Sequence, residues 1–361
     1  MELANIKYIT HNGKSLFEES CIKVPKYGEI KTLKPVIVDD FLMLSRDIEN
    51  IALLSDYIKK NYLFVPIRRV NKSKQEAKSF PSRILLEITS KCNLNCTMCP
   101  RNYLKRPEMH MPKEVVLRCI DEIDHYGVEG IWLYNIGESA LHPDFKEIFE
   151  YCQTKKRLGS LWLSTNGQEL SDEIMDMLVN SNLTFLNYSV NAMNEQTYEL
   201  VSPKGNYRRL ISNLEKLLAK KKEHTKMGST PWVRIQMIDQ PQAFFEIDSF
   251  LLEYSKKSEM MSINLLEAFS QNVPENISYA KRRERKEKKY CNRVQRADCF
   301  IFSNGEVSFC DTDFNGVNSL GNIFSSTIQE VWSRFERIKE LNLEGKIEDL
   351  PLCKNCLDWD L

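Results

Sequence analysis

Cys92, Cys96 and Cys99 lie in the stretch KCNLNCTMCP, Lys91 to Pro100, with the spacing C-x3-C-x2-C. Three thiolates this close can hold three irons of a 4Fe–4S cube. Such cubes normally take four cysteine ligands, and no fourth cysteine lies in this loop. The remaining iron is then open to a small ligand. The competing chemistries are a zinc site, which wants a fourth protein ligand, and packing by buried cysteines.

A second group stands near the C-terminus: Cys291, Cys299, Cys310, Cys353 and Cys356. The CxxC pair at 353 and 356 is a tight bidentate clip. Between Cys299 and Cys310 lies FIFSNGEVSF, in which Ser303-Asn304-Gly305 reads as a hairpin turn that delivers Cys310. Outside the two groups, Cys21, Cys119 and Cys152 are scattered. Cys119 and Cys152 fall on amphipathic helical patterns and read as core residues.

The chain that must position these residues has 361 residues, enough for two or three domains. Lys plus Arg equal Asp plus Glu at 50 each, so no global field favours nucleic acid or an anionic membrane. No apolar run approaches the roughly 18 residues of a membrane span. The first residues, MELANIKYITHNGKSLFEES, carry no apolar signal-peptide core. These features predict a cytoplasmic protein with no membrane partner. Eleven cysteines fit that compartment if many of them bind metal.

Residues 1–80 read as an N-terminal extension without a chemical motif. Within it Ile48, Ile51, Leu54 and Ile58 recur at helical spacing over Leu42–Tyr62, and Asn71–Arg83 reads as a polar linker. Over 81–275 strands and helices alternate. The strands are expected at Ile84–Thr89, Gly130–Ile136, Ser160–Ser164, Phe185–Val190, Trp232–Ile238 and Met261–Leu266. The helices are expected at Lys113–His125, Asp144–Lys155, Ser171–Asn180, Glu195–Leu200, Tyr207–Lys220 and Ala243–Tyr254. The fold class is α/β, a parallel sheet with right-handed crossovers. Residues 276–361 form a smaller C-terminal domain. The basic run Lys281–Lys289 reads as a solvated linker helix, with a phosphate or peptide-leader patch as the alternative. It has no interleaved aromatics, so single-stranded nucleic acid is not an expected partner.

Ligands of parallel sheets collect at the carboxyl ends of the strands. Gly137, Glu138, Ser164, Asn166, Ser189 and Asn191 lie there, and Gln236 with Arg234 lies in the fifth strand. Strand alternation puts Asn187, Ser189 and Asn191 on one face, Arg234 and Gln236 on one face, and Asn135 and Gly137 on one face. Polar residues in those positions suggest a hydrophilic ligand held inside the sheet's curve.

The cysteine loop and these segments together resemble the radical S-adenosylmethionine (SAM) superfamily, over roughly residues 84–361. IGESALHP resembles the superfamily's GGEP motif, with Ser139 in place of the proline, and LSTNG also matches. SVNA stands where relatives have an SxDG-like segment, so Asn191 replaces a carboxylate. The resemblance implies a partial (β/α)6 TIM-like barrel. It implies that the open iron chelates SAM, whose reductive cleavage gives a 5′-deoxyadenosyl radical that takes a hydrogen atom from substrate. Glu138 would hold the SAM ammonium and Met98 would face the adenine.

C-x18-C followed by a terminal CxxC resembles the abbreviated SPASM module, or twitch domain, with one auxiliary 4Fe–4S cluster. Asp311, Leu320–Ile323 and Val331-Trp332 match the same pattern. It implies Cys291, Cys310, Cys353 and Cys356 as ligands, with Cys299 as the alternative to Cys291. A zinc ribbon is the competing reading of this group. A second auxiliary cluster is not expected, because no further cysteines follow Cys356. Two substrates remain open: a small polar sugar, aminocyclitol or nucleotide, or a peptide whose leader binds the N-terminal extension. An external electron donor such as flavodoxin or ferredoxin is implied. A non-catalytic iron–sulfur or zinc protein is the reading from another class.

Overall fold

The computed structural model describes residues 80–224, 231–258, 260–269, 273–274, 290–357 and 359. In the N-terminal segment it describes the backbone of four strands: β1 (Thr10–His11), β2 (Lys14–Ser15), β3 (Phe17–Val24) and β4 (Gly28–Pro35). Each of the pairs β1–β2 and β3–β4 is antiparallel. The expected helix at 42–62, most of the linker and the basic run at 281–289 lie outside the described residues.

The chain divides into two compact units. One comprises 71–164 and 266–361; the other comprises 1–70 and 165–265. In the first, β5 (Arg83–Leu86), β6 (Gly130–Trp132) and β7 (Ser160–Thr165, whose last residue opens the other unit) pair in parallel in that order. Two helices connect them: α1 (Lys113–Tyr126) and, after a short turn, α2 (Phe145–Gln153). Apolar residues at helical spacing make this arrangement stable. Val116, Cys119, Ile120 and Ile123 of α1 are buried, as are Phe145, Ile148, Phe149 and Cys152 of α2.

The outer edge of β5 is occupied by β11 (Asp298–Ile301), also parallel, in the register Cys299 opposite Ile84. Ile84 and Leu86 are fully buried, and a strand this apolar needs neighbours on both sides. β11 then turns back on β12 (Glu306–Ser308), which pairs with β13 (Gly321–Asn322). The turn is Ser303-Asn304-Gly305, with Gly305 at φ +83°, a conformation that favours glycine. The C-terminal segment therefore shares a sheet with the strand that leads into the cysteine loop. Short helices α7 (Asn292–Arg296), α8 (Ile328–Trp332) and α9 (Phe335–Leu343) complete it.

In the second unit β8 (Phe185–Ser189), β9 (Trp232–Asp239) and β10 (Met260–Leu265) are parallel. The helices α3 (Asp172–Val179), α4 (Glu195–Val201), α5 (Tyr207–His224) and α6 (Ile247–Lys257) accompany them. Ser171 and Asn194 cap α3 and α4 by accepting hydrogen bonds from Ile174 N and Thr197 N. Six strands, β5 to β10, thus follow one another along the chain with helices between them, as expected. Three expected strands are shorter than their sequence pattern; β5 stops at Leu86. β6 stops at Trp132, so Asn135 and Gly137 lie in a loop and strand alternation does not govern them. β8 stops at Ser189, and Asn191 sits beyond it at φ 57°.

Candidate functional site

The loop between β5 and α1 carries the cysteine triad. The Cys99 N–H donates to Cys96 O at 3.1 Å, and the Leu94 N–H lies 3.4 Å from Cys92 Sγ. Pro100 opens a 3-10 turn. Two side chains from that turn reach back over the loop. Asn102 Nδ2 donates to Cys96 O at 3.0 Å, and Arg101 donates to Leu94 O and to Asn95 Oδ1. Burial pushes the Cys92 thiol up to about 11 and Cys99 up to about 12, with the neighbouring thiols adding to the shift. Among the described residues no three His, Cys, Asp or Glu side chains converge as around a single ion. A cube gives each thiolate its own iron, and three partly buried thiols on one short loop suit a cationic cluster.

The turn after β6 is locked to this loop. The Glu138 N–H donates to Lys91 O at 2.9 Å. A Cβ on Gly137 would stand 2.0 Å from Thr89 O and 3.0 Å from Lys91 O. Having no Cβ, this glycine admits the backbone of the cysteine loop. Glu138 is 3% exposed and close enough to Cys92 to raise its pKa. Ser139, in the place of the family's proline, donates its hydroxyl to Leu133 O. His142 Nδ1 accepts from the Asp144 N–H at 3.0 Å, which leaves Nε2 as the donor to Met111 O at 2.9 Å. This imidazole ties the turn to the start of α1.

The second unit presents polar side chains in register. Ser189 stands beside Gln236, and Gln236 beside Ser262. Asn187 stands beside Arg234, whose Nε donates to its Oδ1 at 2.8 Å. Asn264 Nδ2 donates to Gln236 Oε1 at 2.9 Å. Ser262 and Asn264 extend the polar face beyond the residues singled out from sequence; the Ser-x-Asn alternation inside an apolar strand was the available signal. Asn191 serves the backbone: its Oδ1 accepts from the Ile238 N–H at 3.1 Å. Asn166 Oδ1 accepts from the Gln168 N–H at 2.9 Å, so it shapes the turn that ends at Gly167 and Gln168. Gly167 adopts φ +71°, and a Cβ there would meet Tyr188 Oη at 2.1 Å. Ser164 is half-buried near the end of β7.

The C-terminal cysteines gather by other means. Cys310 is pushed up to about 12 by burial, and its neighbours Cys291 and Cys356 add to the shift. Cys291 is the N-cap of α7, and its backbone N–H donates to Asn342 Oδ1 at 2.7 Å. The Cys356 N–H donates to Cys353 O at 3.2 Å, and Asn318 Nδ2 lies 3.4 Å from Cys353 Sγ. Cys299 is elsewhere: it is fully buried on β11, and its electrostatic neighbours are Cys119, Asp298 and Glu122. Sequence reading missed Arg293. Its side chain is 2% exposed, pairs with Glu267 at 2.7 Å and with Asp311, and favours the Cys310 thiolate.

The family model described as the Radical SAM superfamily matches residues 86–230, and the model described as the SPASM iron–sulfur cluster-binding domain matches 291–357. A tungsten-containing aldehyde ferredoxin oxidoreductase cofactor-modifying protein of Pyrococcus furiosus is 32% identical over 111 residues, 30% of this chain and 31% of that protein. The mycofactocin maturase MftC of Mycolicibacterium smegmatis is 27% identical over 154 residues, 42% of this chain and 38% of that protein. The match spans between 31% and 44% of the length of the first curated relatives. Among solved structures, Streptococcus suis SuiB bound to precursor peptide SuiA aligns with a TM-score of 0.57 at 14% identity, over 95% of this chain and 94% of that one. Among the described residues no helix is long and apolar enough to cross a membrane. With cysteine loop and Glu138 turn in the first matched segment and the C-terminal cysteine group in the second, the chain carries a radical SAM superfamily domain over residues 86–230 and a SPASM iron–sulfur cluster-binding domain over residues 291–357.

Proposed function

We propose that the chain is a radical SAM oxidoreductase whose first cluster site is the Cys92–Cys96–Cys99 loop. The observation that carries this reading is the buried Glu138 carboxylate held against that loop by Gly137. The cofactors of this kind of protein are S-adenosylmethionine, the 4Fe–4S cluster that binds it and an auxiliary 4Fe–4S cluster. Together they supply reductive cleavage of SAM and removal of a hydrogen atom from substrate, with the auxiliary cluster accepting an electron. The protein's part is to bind, orient and exclude water. The three thiols give up their protons to hold iron. Glu138 accepts the hydrogen bonds of the SAM ammonium. Gly137, Ser164, Asn166, Ser189, Asn191 and Gln236 are the further proposed cofactor contacts, each from a strand end or its following turn. Cys291, Cys310, Cys353 and Cys356 hold the auxiliary cluster, and Cys299 is a packing residue. An external donor such as flavodoxin or ferredoxin supplies the electron.

The substrate reading best supported by the geometry is a small polar molecule. Asn187, Ser189, Arg234, Gln236, Ser262 and Asn264 offer hydrogen bonds where an ordinary barrel would place branched apolar residues. A second reading, a peptide-modifying maturase, has its own support. The antiparallel pair β3–β4 is a two-stranded sheet, and a sheet edge is a template for an extended leader. The names of MftC and SuiB point the same way.

The test is anaerobic reconstitution, chemical reduction and assay of SAM cleavage. Wild-type protein is expected to release 5′-deoxyadenosine. Glu138→Gln is expected to keep its iron and bind SAM roughly ten- to a hundredfold more weakly, the worth of a charge-assisted hydrogen bond. Unchanged SAM affinity in the variant would remove Glu138 from the site. Absence of deoxyadenosine from the iron-loaded wild type would refute the function.

A further inference from the structure

Glu87 follows the last residue of β5 and is 1% exposed. Four hydrogen bonds and a further ion-pair contact converge on its carboxylate. Oε1 accepts from Ser303 N at 3.1 Å and Ser303 Oγ at 2.9 Å and stands 2.7 Å from Arg106 Nη1, which itself donates to Ser303 Oγ at 3.2 Å. Oε2 accepts from Arg106 Nη2 at 2.8 Å and Asn135 Nδ2 at 3.0 Å. Arg106 is equally enclosed. Its Nε donates to Phe314 O at 2.7 Å, and its guanidinium lies 4.5 Å from the Phe302 ring centroid. Ser303 Oγ stands 3.0 Å from Ser90 Oγ.

The network draws on three separate parts of the chain. Ser90 and Arg106 flank the cysteine triad. Asn135 precedes the Gly137-Glu138 turn. Ser303 and Phe314 flank Cys310. A buried ion pair is no better for stability than an apolar pair of the same volume. What it adds is direction: each donor must keep its angle, or a charge is left unpaired out of water. The sequence signal was a lone carboxylate in the apolar run ILLEIT.

We propose that Glu87 and Arg106 are positioning residues that link the two cysteine sites. They fix the triad loop, the Glu138 turn and the Cys310 hairpin in one geometry, so that a change at the C-terminal hairpin is felt where SAM binds. The proposal rests on the reading of both groups as cluster sites.

The test uses full-length protein with both sites loaded, reduced, and examined by electron paramagnetic resonance with and without SAM. Ser303→Ala removes one donor to Glu87 from the hairpin and touches none of the proposed cofactor contacts. It is expected to keep its iron, weaken SAM binding about threefold, and alter the SAM-induced signal of the triad cluster. Glu87→Gln is expected to do the same about tenfold. If Glu87→Gln fails to fold, Ser303→Ala decides alone. Wild-type SAM affinity together with an unaltered SAM-induced signal in Ser303→Ala overturns the link and leaves the network as local packing. A wild-type protein with iron but no SAM-responsive signal instead refutes the cluster reading on which the link rests.

Discussion

The two cysteine groups reach similar ends by opposite routes. Cys92, Cys96 and Cys99 belong to one short loop, and that loop is held largely by its own neighbours: Arg101, Asn102 and the Lys91 carbonyl. Cys291, Cys310, Cys353 and Cys356 come from a helix cap, a strand end and a terminal turn. They meet because Asn342 holds Cys291, Asn318 reaches Cys353, and β11 docks on β5. The first group draws its three thiols from one local turn, and Arg106 beside that turn reaches the C-terminal hairpin. The second needs the C-terminal segment folded before its distant cysteines meet. A contiguous site loses little chain entropy on forming, whereas a dispersed one must close long loops.

The strongest way to break the comparison is to empty the first site. Protein with both sites holding cubes carries about eight irons. Cys92→Ala, Cys96→Ala and Cys99→Ala together are expected to remove about half of the iron and all deoxyadenosine release, while leaving the C-terminal group loaded. Iron analysis and product chromatography check both parts. Deoxyadenosine formation at the wild-type rate would show that the triad is not the SAM site.

A sharper contrast concerns two cysteines near the second site. Cys291→Ala is expected to bring the iron content down to about half and to destabilise the segment, because a ligand's metal bond is part of the folding free energy. Cys299→Ala removes a sulfur packed near Cys119 between β11 and α1, and is expected to lower stability by only about 1 kcal/mol with iron retained. Iron content and thermal melting of the two variants decide it. The reverse pattern would make Cys299 the ligand. With the auxiliary cluster lost, Cys291→Ala is expected to cleave SAM but form little oxidised product.

The smallest effect is on acidity. In the metal-free chain burial holds Cys92 near about 11 and Cys99 and Cys310 near about 12, against an ordinary value of 9.0. The folded chain therefore keeps protons that the unfolded chain has lost between those values. Stability of the metal-free protein is expected to fall as pH rises through about 9 to 12. Iron binding must expel the same protons, so loading is expected to release acid at both groups and to be more complete at about pH 8 than at about pH 6. Melting temperature against pH and proton release on reconstitution measure the two halves. A melting temperature that rises through the alkaline range would contradict the burial of these thiols.

Legibility follows the same division. The alternation of strands and helices was readable because hydrophobic periodicity is local, and the observed elements fall within a few residues of their patterns. The misread faces, Asn135 with Gly137 and Asn191 with Ser189, came from extending strand alternation past strand ends. Nothing in the sequence marks where a backbone leaves the sheet. The carbonyls that Gly137 admits belong to Thr89 and Lys91, and only the packed loop reveals which backbone comes close.

Taken alone, the sequence determined the chemistry of each part. Three thiols in C-x3-C-x2-C, a glycine–glutamate turn and a terminal CxxC are set by residue type and short spacing, and such features survive without tertiary information. Tertiary structure decided which distant residues act together. It placed Cys299 against α1 and Cys291 with Cys310, and it closed Glu87 on Arg106 and Ser303. Spacing along a chain constrains neighbours within a turn or two. Beyond that, partners are chosen by the burial of apolar strand faces and by the need of every buried charge for a donor or a countercharge.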